Sequence, residues 1–275
     1  MKRIICFLLA GIMLLSLCAC QSSDYKKAKE LLDQKKFDEA KAAFLKIKDY
    51  KDSAELAKEC DFQKASGLLD NEEYTDAIRI LESLGSYGKS KTTLKNTYKA
   101  LSEEIYELME DGDYIEAQAL LDSYDFLPDR DEIQEKIIYE SFALTCLMNL
   151  KPRYKNPNSL QANSIEFHES SNPYPLVVIH ESGQNGFGGY STSYSLYTDK
   201  DLSIIGTCSS LDKDDYDASD LDDLAELLIC ITINGMTNEL IDADFDLGRI
   251  NRILSNALTP KLNIKQYENV ANKVI

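Results

Sequence analysis

The sequence predicts an α+β fold, with a helical N-terminal half and a smaller C-terminal half that combines an antiparallel sheet with helices. Up to residue 150, apolar residues recur at helical spacing and proline occurs only once. Beyond residue 160 the apolar period becomes two, in short segments rich in Ile, Val, Tyr and Phe. Pro152 and Pro157 lie between the two patterns, where helices end. We therefore expect helical repeats at residues 25–150, a linker at 151–160 and an α+β domain at 161–275.

Three segments of the helical half repeat one another. Each has an acidic turn, then an aromatic residue, then an alanine three residues further on. This pattern predicts helical hairpins, because the small alanine lets two helices approach closely and the aromatic ring fills the space beside it. The matching positions are Ala28, Phe37, Ala40, Phe44 and Ile47; then Ala65, Tyr74, Ala77, Leu81 and Leu84; then Ile105, Tyr114, Ala117, Leu121 and Tyr124.

The third copy, Gly112-Asp113-Tyr114-Ile115-Glu116-Ala117, resembles the tetratricopeptide repeat, whose second helix carries a Gly-x-Tyr-x-x-Ala pattern. The spacing exceeds the usual ~34 residues. Segments 49–53 and 85–90 replace the closing proline, as in divergent repeats of surface proteins from low-GC Gram-positive bacteria. The resemblance covers about residues 25–125 and implies a TPR-like solenoid with a concave surface that grips peptides or proteins. A generic helical bundle is the alternative.

A helix is expected at residues 131–150, and its apolar face would cap the third hairpin. Strands are expected at four segments that follow the linker: 164–169, 176–180, 192–198 and 202–208. A helix is expected at 219–233, with acids in its first turn, and another at about 247–258. The tail from Thr259 could form a further short helix.

The glycine-rich segment 183–189 is a candidate turn between the second and third strands. Asn185-Gly186 favours a hairpin, and a phosphate-binding loop is disfavoured because a strand rather than a helix follows. With Leu150-Lys151 and residues 157–160, this turn resembles a small β-domain at the C-terminus of Gram-positive secreted and lipid-anchored proteins. An insertion, Arg153 to Asn156, interrupts the expected entry segment. The resemblance implies a fold and no activity.

The N-terminus predicts export and lipid attachment. Lys2 and Arg3 precede an apolar run too short to span a membrane as a helix, which indicates a signal peptide at residues 1–19. Leu17-Cys18-Ala19-Cys20 resembles the lipobox of bacterial lipoproteins, which implies a diacylglycerol on Cys20 and a lipidated tether at 20–24. An ordinary secretory signal is the alternative. The expected location is the extracytoplasmic face of the cell membrane.

The charge of the chain restricts its partners. The net charge is −17, and it falls to −19 when Lys2 and Arg3 are removed. Such a surface repels phosphate backbones and anionic headgroups, so nucleic-acid binding is not expected and the lipid must hold the membrane. Zinc is not expected, because no CxxC pair occurs. Cys60 and Cys146 fit apolar helical contexts, whereas Cys208 and Cys230 could pair in an oxidising compartment.

Few residues suggest catalysis, and no cofactor is expected. His168 and His180 lie in strand-like segments, where we expect partly exposed positions, and no activated serine accompanies them. Asp242, Asp244 and Asp246 resemble the start of a calcium loop, but Leu247 and Ile253 replace its glycine and its final acid, so helix capping is the preferred interpretation. The acidic run at residues 212–217 is expected to be a solvated loop.

These observations favour a non-catalytic, membrane-anchored scaffold that binds an unidentified protein or peptide. The candidate contact residues are aromatic: Tyr25, Tyr50, Tyr87, Tyr124, Phe187 and Tyr190. Tyr87 could equally pack between hairpins. The alternatives are a cell-envelope hydrolase, which a buried carboxylate pair in a cleft would favour, and a solute-binding lipoprotein, which a deep pocket would favour.

Overall fold

The computed structural model describes residues 21–168, 176–184, 186–198, 203–236, 240–241, 243–244 and 246–256. It confirms the predicted α+β class, since helices are followed by a five-stranded antiparallel sheet and C-terminal helices. The chain forms two compact units, of which the first ends at Ala100 and the second begins at Leu101. The expected boundary at 151–160 therefore separates helical from sheet-forming sequence but does not separate these two units.

Between residues 21 and 100, the described part of the first unit contains four helices and the start of a fifth. They are α1 (residues 21–33), α2 (Phe37–Lys46), α3 (Ser53–Asp70), α4 (Tyr74–Leu84) and the first part of α5 (Ser90–Glu110). The expected tether at 21–24 is part of α1, because Ser22, Ser23 and Asp24 suit the first turn of a helix. Helix α3 packs against both α2 and α4.

The three predicted turns share one backbone geometry. Lys35, Glu72 and Gly112 each have positive φ, at 59°, 63° and 79°, and each stands two residues before the repeat aromatic. In all three turns the next backbone N–H donates to the carbonyl oxygen five residues earlier, at distances of 2.9 to 3.0 Å. The repeat seen in the sequence is therefore also a repeat of backbone conformation.

The alanines of the repeat are fully buried, as the hairpin interpretation requires. Ala40, Ala77 and Ala117 each have no exposed surface. In the first unit, Tyr25, Ala28, Ala40, Phe44, Ile47, Ala57 and Cys60 form one apolar cluster. This core contains no charged side chain.

The second unit adds two helices to the end of α5 and then the sheet. The helices are α6 (Tyr114–Ser123) and α7 (Arg130–Leu150), and two short 3-10 turns follow at Lys151–Arg153 and Pro157–Ser159. The strands are β1 (Gln161–His168), β2 (Leu176–Gln184), β3 (Tyr190–Thr198), β4 (Ser203–Cys208) and β5 (Leu240–Ile241). Helix α8 (Leu221–Gly235) lies between β4 and β5, and α9 (Leu247–Ser255) follows β5.

The sheet has the order β4-β3-β2-β1-β5 and separates two helical layers. On one face Phe167 packs against Tyr139 and Phe142 of α7, with ring centroids 4.7 and 6.0 Å apart. On the other face Val178, Leu196 and Cys208 share a core with Cys230, Ile233 and Met236. Helix α7 thus packs both against α6 and against the sheet. The expected capping of the third hairpin therefore describes only part of its role.

Helix α9 covers the part of β1 that β5 does not pair. The side chain of Asn251 accepts from the N–H of Ala162 at 2.8 Å and donates to its carbonyl oxygen at 2.9 Å. This side chain satisfies both backbone groups, as a neighbouring strand would.

Candidate functional site

The β2–β3 hairpin carries two aromatic side chains at its outer end. The two strands pair from Val177 and Tyr197 out to Gln184 and Tyr190. Residues 186–189 lie in the turn, as the glycine-rich segment predicts, and Asn185 lies outside the described residues. Phe187 is fully exposed, and Tyr190 is 69% exposed. Exposed aromatic side chains that lie close together are typical of the centres of protein interfaces. We call this turn, residues 186–190, the aromatic tip.

A neighbouring segment, Tyr154–Ser159, holds the aromatic tip in place, and we call it the brace. Lys155 Nζ donates to the carbonyl oxygen of Gly186 at 2.9 Å, and Asn156 Nδ2 donates to Gln184 Oε1 at 3.1 Å. The Gln184 N–H donates to Ser159 Oγ at 2.7 Å. The insertion that interrupts the resembled β-domain therefore braces the hairpin in this chain, and the expected linker is packed against β2.

Tyr154, also in the insertion, explains the first glycine of the turn segment. A Cβ atom at Gly183 would lie 2.5 Å from Cδ1 of the Tyr154 ring, which is too close for any side chain. Gly183 is thus required by a close approach of the brace to β2, and not by φ.

The charge around the aromatic tip differs from that of the whole chain. Residues 151–165 contain three basic residues and no acid, whereas the chain carries −17. Arg153 and Lys155 are both exposed. The aromatic tip therefore lies beside a local basic patch on an acidic protein.

A buried acid lies under the hairpin. Glu181 has no exposed surface, and its Oε1 accepts hydrogen bonds from Ser193 at 2.8 Å and Ser195 at 2.5 Å. Burial raises the pKa of Glu181 to about 7, although these two hydrogen bonds act in the opposite direction. Its Oε2 and the hydroxyl of Tyr197 have no hydrogen-bond partner among the described residues.

This acid is poorly placed for catalysis. Ser195 is also fully buried, so neither the carboxyl group nor the nearest hydroxyl can reach a substrate in this conformation. The arrangement joins β2 to β3 through side chains and stores a titratable group in the core.

A second polar cluster joins α5, α6, α7 and α9. Arg249 Nη1 donates to both carboxylate oxygens of fully buried Glu140 at 2.8 Å, and its Nε donates to Glu110 at 2.8 Å. Tyr114 donates to Glu140 at 2.8 Å. Arg252 also pairs with Glu110.

An open cleft of about 460 Å³ borders this cluster. Lys136 lies at its wall and pairs with Glu132 at 2.8 Å and Asp244 at 3.2 Å. The buried carboxylate in the cleft, Glu140, is neutralised by Arg249. Because these charged groups already have partners, we interpret the cluster as a structural link between helices α5, α6, α7 and α9.

The four tyrosines predicted to contact a partner lie in varied positions. Tyr25 is buried, and its hydroxyl donates to Asp52 at 2.6 Å, so it is a packing residue. Tyr50 is half-buried and packs edge-on against Tyr25, with centroids 5.7 Å apart. Tyr87 donates to the Glu55 carbonyl and to Glu59, which matches the packing alternative. Tyr124 is half-buried beside Phe126.

The histidines differ from each other. His180 is partly exposed, as expected, and stacks on Tyr194 with centroids 4.3 Å apart. His168 is buried, contrary to expectation, because its Nδ1 lies 2.9 Å from the Met236 carbonyl oxygen at the end of α8. His168 Nε2 also lies 3.5 Å from Glu166 Oε2, and the described contacts include no hydrogen bond from either histidine to a serine or cysteine side chain.

Asp246 and Asp212 act as caps, whereas Asp244, also expected to cap the last helix, pairs with Lys136 at 3.2 Å instead. Asp246 accepts from the N–H of Arg249 at 3.1 Å and so caps α9, as preferred over a calcium loop. Asp212, in the acidic run, accepts from the N–H of Asp214 at 3.1 Å in an exposed loop. Asp242 lies outside the described residues. Within the described ranges, no group of three or more His, Cys, Asp or Glu is placed to hold a metal.

The four cysteines among the described residues are unpaired and buried. Cys208 and Cys230, the pair that could have bridged, are free thiols in the same core. Cys60 and Cys146 are buried, as the apolar contexts predict. Cys20 lies outside the described residues, so its lipidation stays a prediction.

Sequence reasoning missed three of these features, namely the brace, the Arg249–Glu140 pair and the buried Glu181. The brace at Tyr154–Ser159 lies within the segment that the sequence predicts to be a linker, and Arg249 and Glu140 belong to no shared sequence pattern. The only local signal for Glu181 is an acid in the middle of an otherwise uncharged strand pair.

Comparison with protein-family models, with curated proteins and with solved structures finds no match to this chain. Among the helices in the described ranges, none is both long enough and apolar enough for a membrane span.

Proposed function

We propose that the protein is a lipid-anchored, extracytoplasmic scaffold without catalytic activity, and that it binds a protein partner through the aromatic tip. The lipobox-like Cys20 supports the anchoring, and the aromatic tip supports the binding. The single observation that carries the proposal is the exposure of Phe187 and Tyr190 on a turn held by three hydrogen bonds. A pre-ordered aromatic contact loses little conformational entropy on binding.

The surroundings of the aromatic tip favour an acidic partner surface with an apolar pocket. Phe187 and Tyr190 would fill the pocket, while Arg153 and Lys155 would lie against the acids. Because the rest of this acidic chain repels an acidic partner, such a partner approaches most favourably at this basic patch.

Site-specific photocrosslinking in intact cells tests this proposal. A benzophenone amino acid would replace Phe187 in one variant and Leu45, an exposed apolar residue of α2, in the matched control. We expect a discrete protein adduct from position 187 only. We also expect Tyr190→Ser or Lys155→Glu, introduced into the position-187 variant, to reduce this adduct.

The same adducts from positions 187 and 45 would contradict the proposal, as would an adduct that neither second substitution reduces. Because Phe187 and Tyr190 are exposed, replacing both by serine should change the free energy of unfolding by less than about 0.5 kcal/mol. This measurement separates a loss of binding from a loss of folding.

A further inference from the structure

Helix α8 is apolar on the side that faces water as well as on the side that faces the sheet. Its inner side places Ile229, Cys230 and Ile233 against the sheet. Its outer side carries four large aliphatic residues that are 82, 37, 57 and 44% exposed, namely Leu221, Leu224, Leu228 and Ile231. An exposed row of large aliphatic side chains with acids beside it is typical of an interaction surface.

The four outer residues form a helix-pairing seam. Their spacing, i, i+3, i+7 and i+10, is that of the a and d positions of two heptads. A second helix of the same spacing is the element that fits this seam. We call these four residues the α8 seam.

The C-terminal tail has the matching pattern. Ile264, Tyr267, Ala271 and Val274 recur at the same i, i+3, i+7 and i+10 spacing. Thr259 and Pro260 precede them, and a threonine followed by proline is a helix-start signal. Residues 257–275 lie outside the described residues.

The charges of the tail and of α8 are opposite. Residues 212–226, which lead into α8 and form its first half, contain eight acids and one lysine. Residues 259–275 contain three lysines and one glutamate. In a chain of net charge −17, residues 259–275 therefore carry the charge sign that the acidic residues 212–226 attract.

The tail also leaves α9 at the correct end of the sheet. The last turns of α9 lie beside Ala162 and Lys151, as the contacts of Asn251 and Leu254 show. Ala162 and Ser209 lie at the same end of the sheet, and Ser209 contacts Glu226 of α8. The five residues from Ser255 to Pro260 can span about 17 Å and the first turn of a helix adds about 5 Å, compared with the ~15 Å of sheet between β1 and β4.

We propose that residues 260–275 form an amphipathic helix that docks on the α8 seam of the same chain. A second copy is a poorer occupant. A parallel pairing would bring two acidic helix ends together, and a stable interface needs roughly 20–30 residues on each side. An anionic membrane is repelled by the same acids.

Intramolecular photocrosslinking in the purified full-length chain tests this docking. A benzophenone amino acid would replace Leu228 on the seam or, as a matched control in the same unit, Ile205, which is 49% exposed. Ile205 belongs to β4 and not to α8, and it lies where the register between β3 and β4 shifts. We expect adducts with residues 260–275 from position 228, at a yield independent of protein concentration, and none from position 205.

Charge reversal in the tail provides a second test of the docking. K261E, K265E and K273E together should lower the tail adduct roughly tenfold, since each removes an attraction and adds a repulsion. Adducts between two chains that increase with concentration would overturn the proposal by identifying a second copy as the occupant. Adducts from position 228 that never include the tail would overturn it as well.

Discussion

The first unit has an apolar core, whereas the second unit buries charges. Among the described residues up to Ala100, the buried polar side chains are Ser53 and Ser90. From Leu101 onward, Glu140, Glu181 and Arg249 are buried as well. Arg249 bonds to Glu140 and Glu110, which lie 109 and 139 positions away from it in the sequence. Local repeats therefore specify the first unit, and distant polar pairings hold the second together.

Removing one partner of the buried ion pair should have the largest effect. Glu140→Ala removes the buried partner of Arg249 and leaves it only the more exposed Glu110 and Asp246, and we expect a loss of about 3–5 kcal/mol in the free energy of unfolding. Thermal unfolding by circular dichroism measures this as a fall in Tm of roughly 10 °C.

A surface pair of the first unit is the control. Lys64 and Asp38 lie 2.8 Å apart, and the Asp38 side chain is 75% exposed. Asp38→Ala should cost less than about 1 kcal/mol. Equal losses in Glu140→Ala and Asp38→Ala would remove the contrast between the two units.

The buried acid of the second unit should make its stability depend on pH. The pKa of Glu181 is about 7 in the fold, compared with an ordinary value of 4.5. Between these values the folded chain holds a proton that the unfolded chain has lost, so stability falls as pH rises from about 4.5 through 7. The loss is on the order of 3 kcal/mol at higher pH.

Glu181→Gln should abolish this part of the pH dependence, because the amide cannot ionise. Urea unfolding at pH 5 and pH 8 measures the difference in each variant. Glu55→Gln, on the surface of the first unit, is the matched change of acid to amide. It should keep the wild-type difference in the free energy of unfolding between pH 5 and pH 8. If Glu181→Gln kept the wild-type difference between pH 5 and pH 8, Glu181 would not be the source of this pH dependence.

The equivalent turns of the repeats allow a finer comparison. Gly112, in the second unit, has φ of 79°, and a Cβ added there would lie 3.4 Å from Cγ2 of Ile253. Gly112→Ala should therefore cost about 1–2 kcal/mol, because an L side chain disfavours positive φ. Chemical denaturation measures it; a neutral result would show that the turn relaxes.

The opposite change in the first unit should have the smallest effect. Glu72 has φ of 63° without being glycine, so Glu72→Gly should stabilise the chain by about 0.5 kcal/mol. Glu73→Gly, one residue later at φ of −85°, should destabilise it instead. If both variants changed stability in the same direction, backbone strain at Glu72 would not be the cause.

These contrasts explain what could be predicted from the sequence. The hairpins were readable because alanine, aromatic and turn residues recur within one local unit, and the observed helix at Arg130–Leu150 differs from the expected one by a single residue. The strands were readable from period two, and β2 proved longer than expected because Glu181 to Gln184 pair with β3. The two-residue strand β5 was missed because it has no pattern of its own.

The site was only partly readable for the same reason. Exposed Phe187 and Tyr190 follow from a hairpin turn, which is a local signal. The burial of Tyr25 depends on Phe44 and Asp52, and the brace depends on Lys155 reaching Gly186, so both need the tertiary structure.

Labelling of the aromatic tip on intact cells tests the central claim, that an anchored protein presents this tip outside the membrane. Cys60, Cys146, Cys208 and Cys230 are buried, so Phe187→Cys adds an exposed thiol to a chain whose described thiols are shielded. We expect a membrane-impermeant maleimide to label Phe187→Cys on intact cells, in the membrane fraction, and to leave the wild type unlabelled. With Cys20→Ser added, the labelled chain should no longer behave as a lipidated protein on detergent extraction. Labelling of Phe187→Cys only after the cells are lysed would contradict the account.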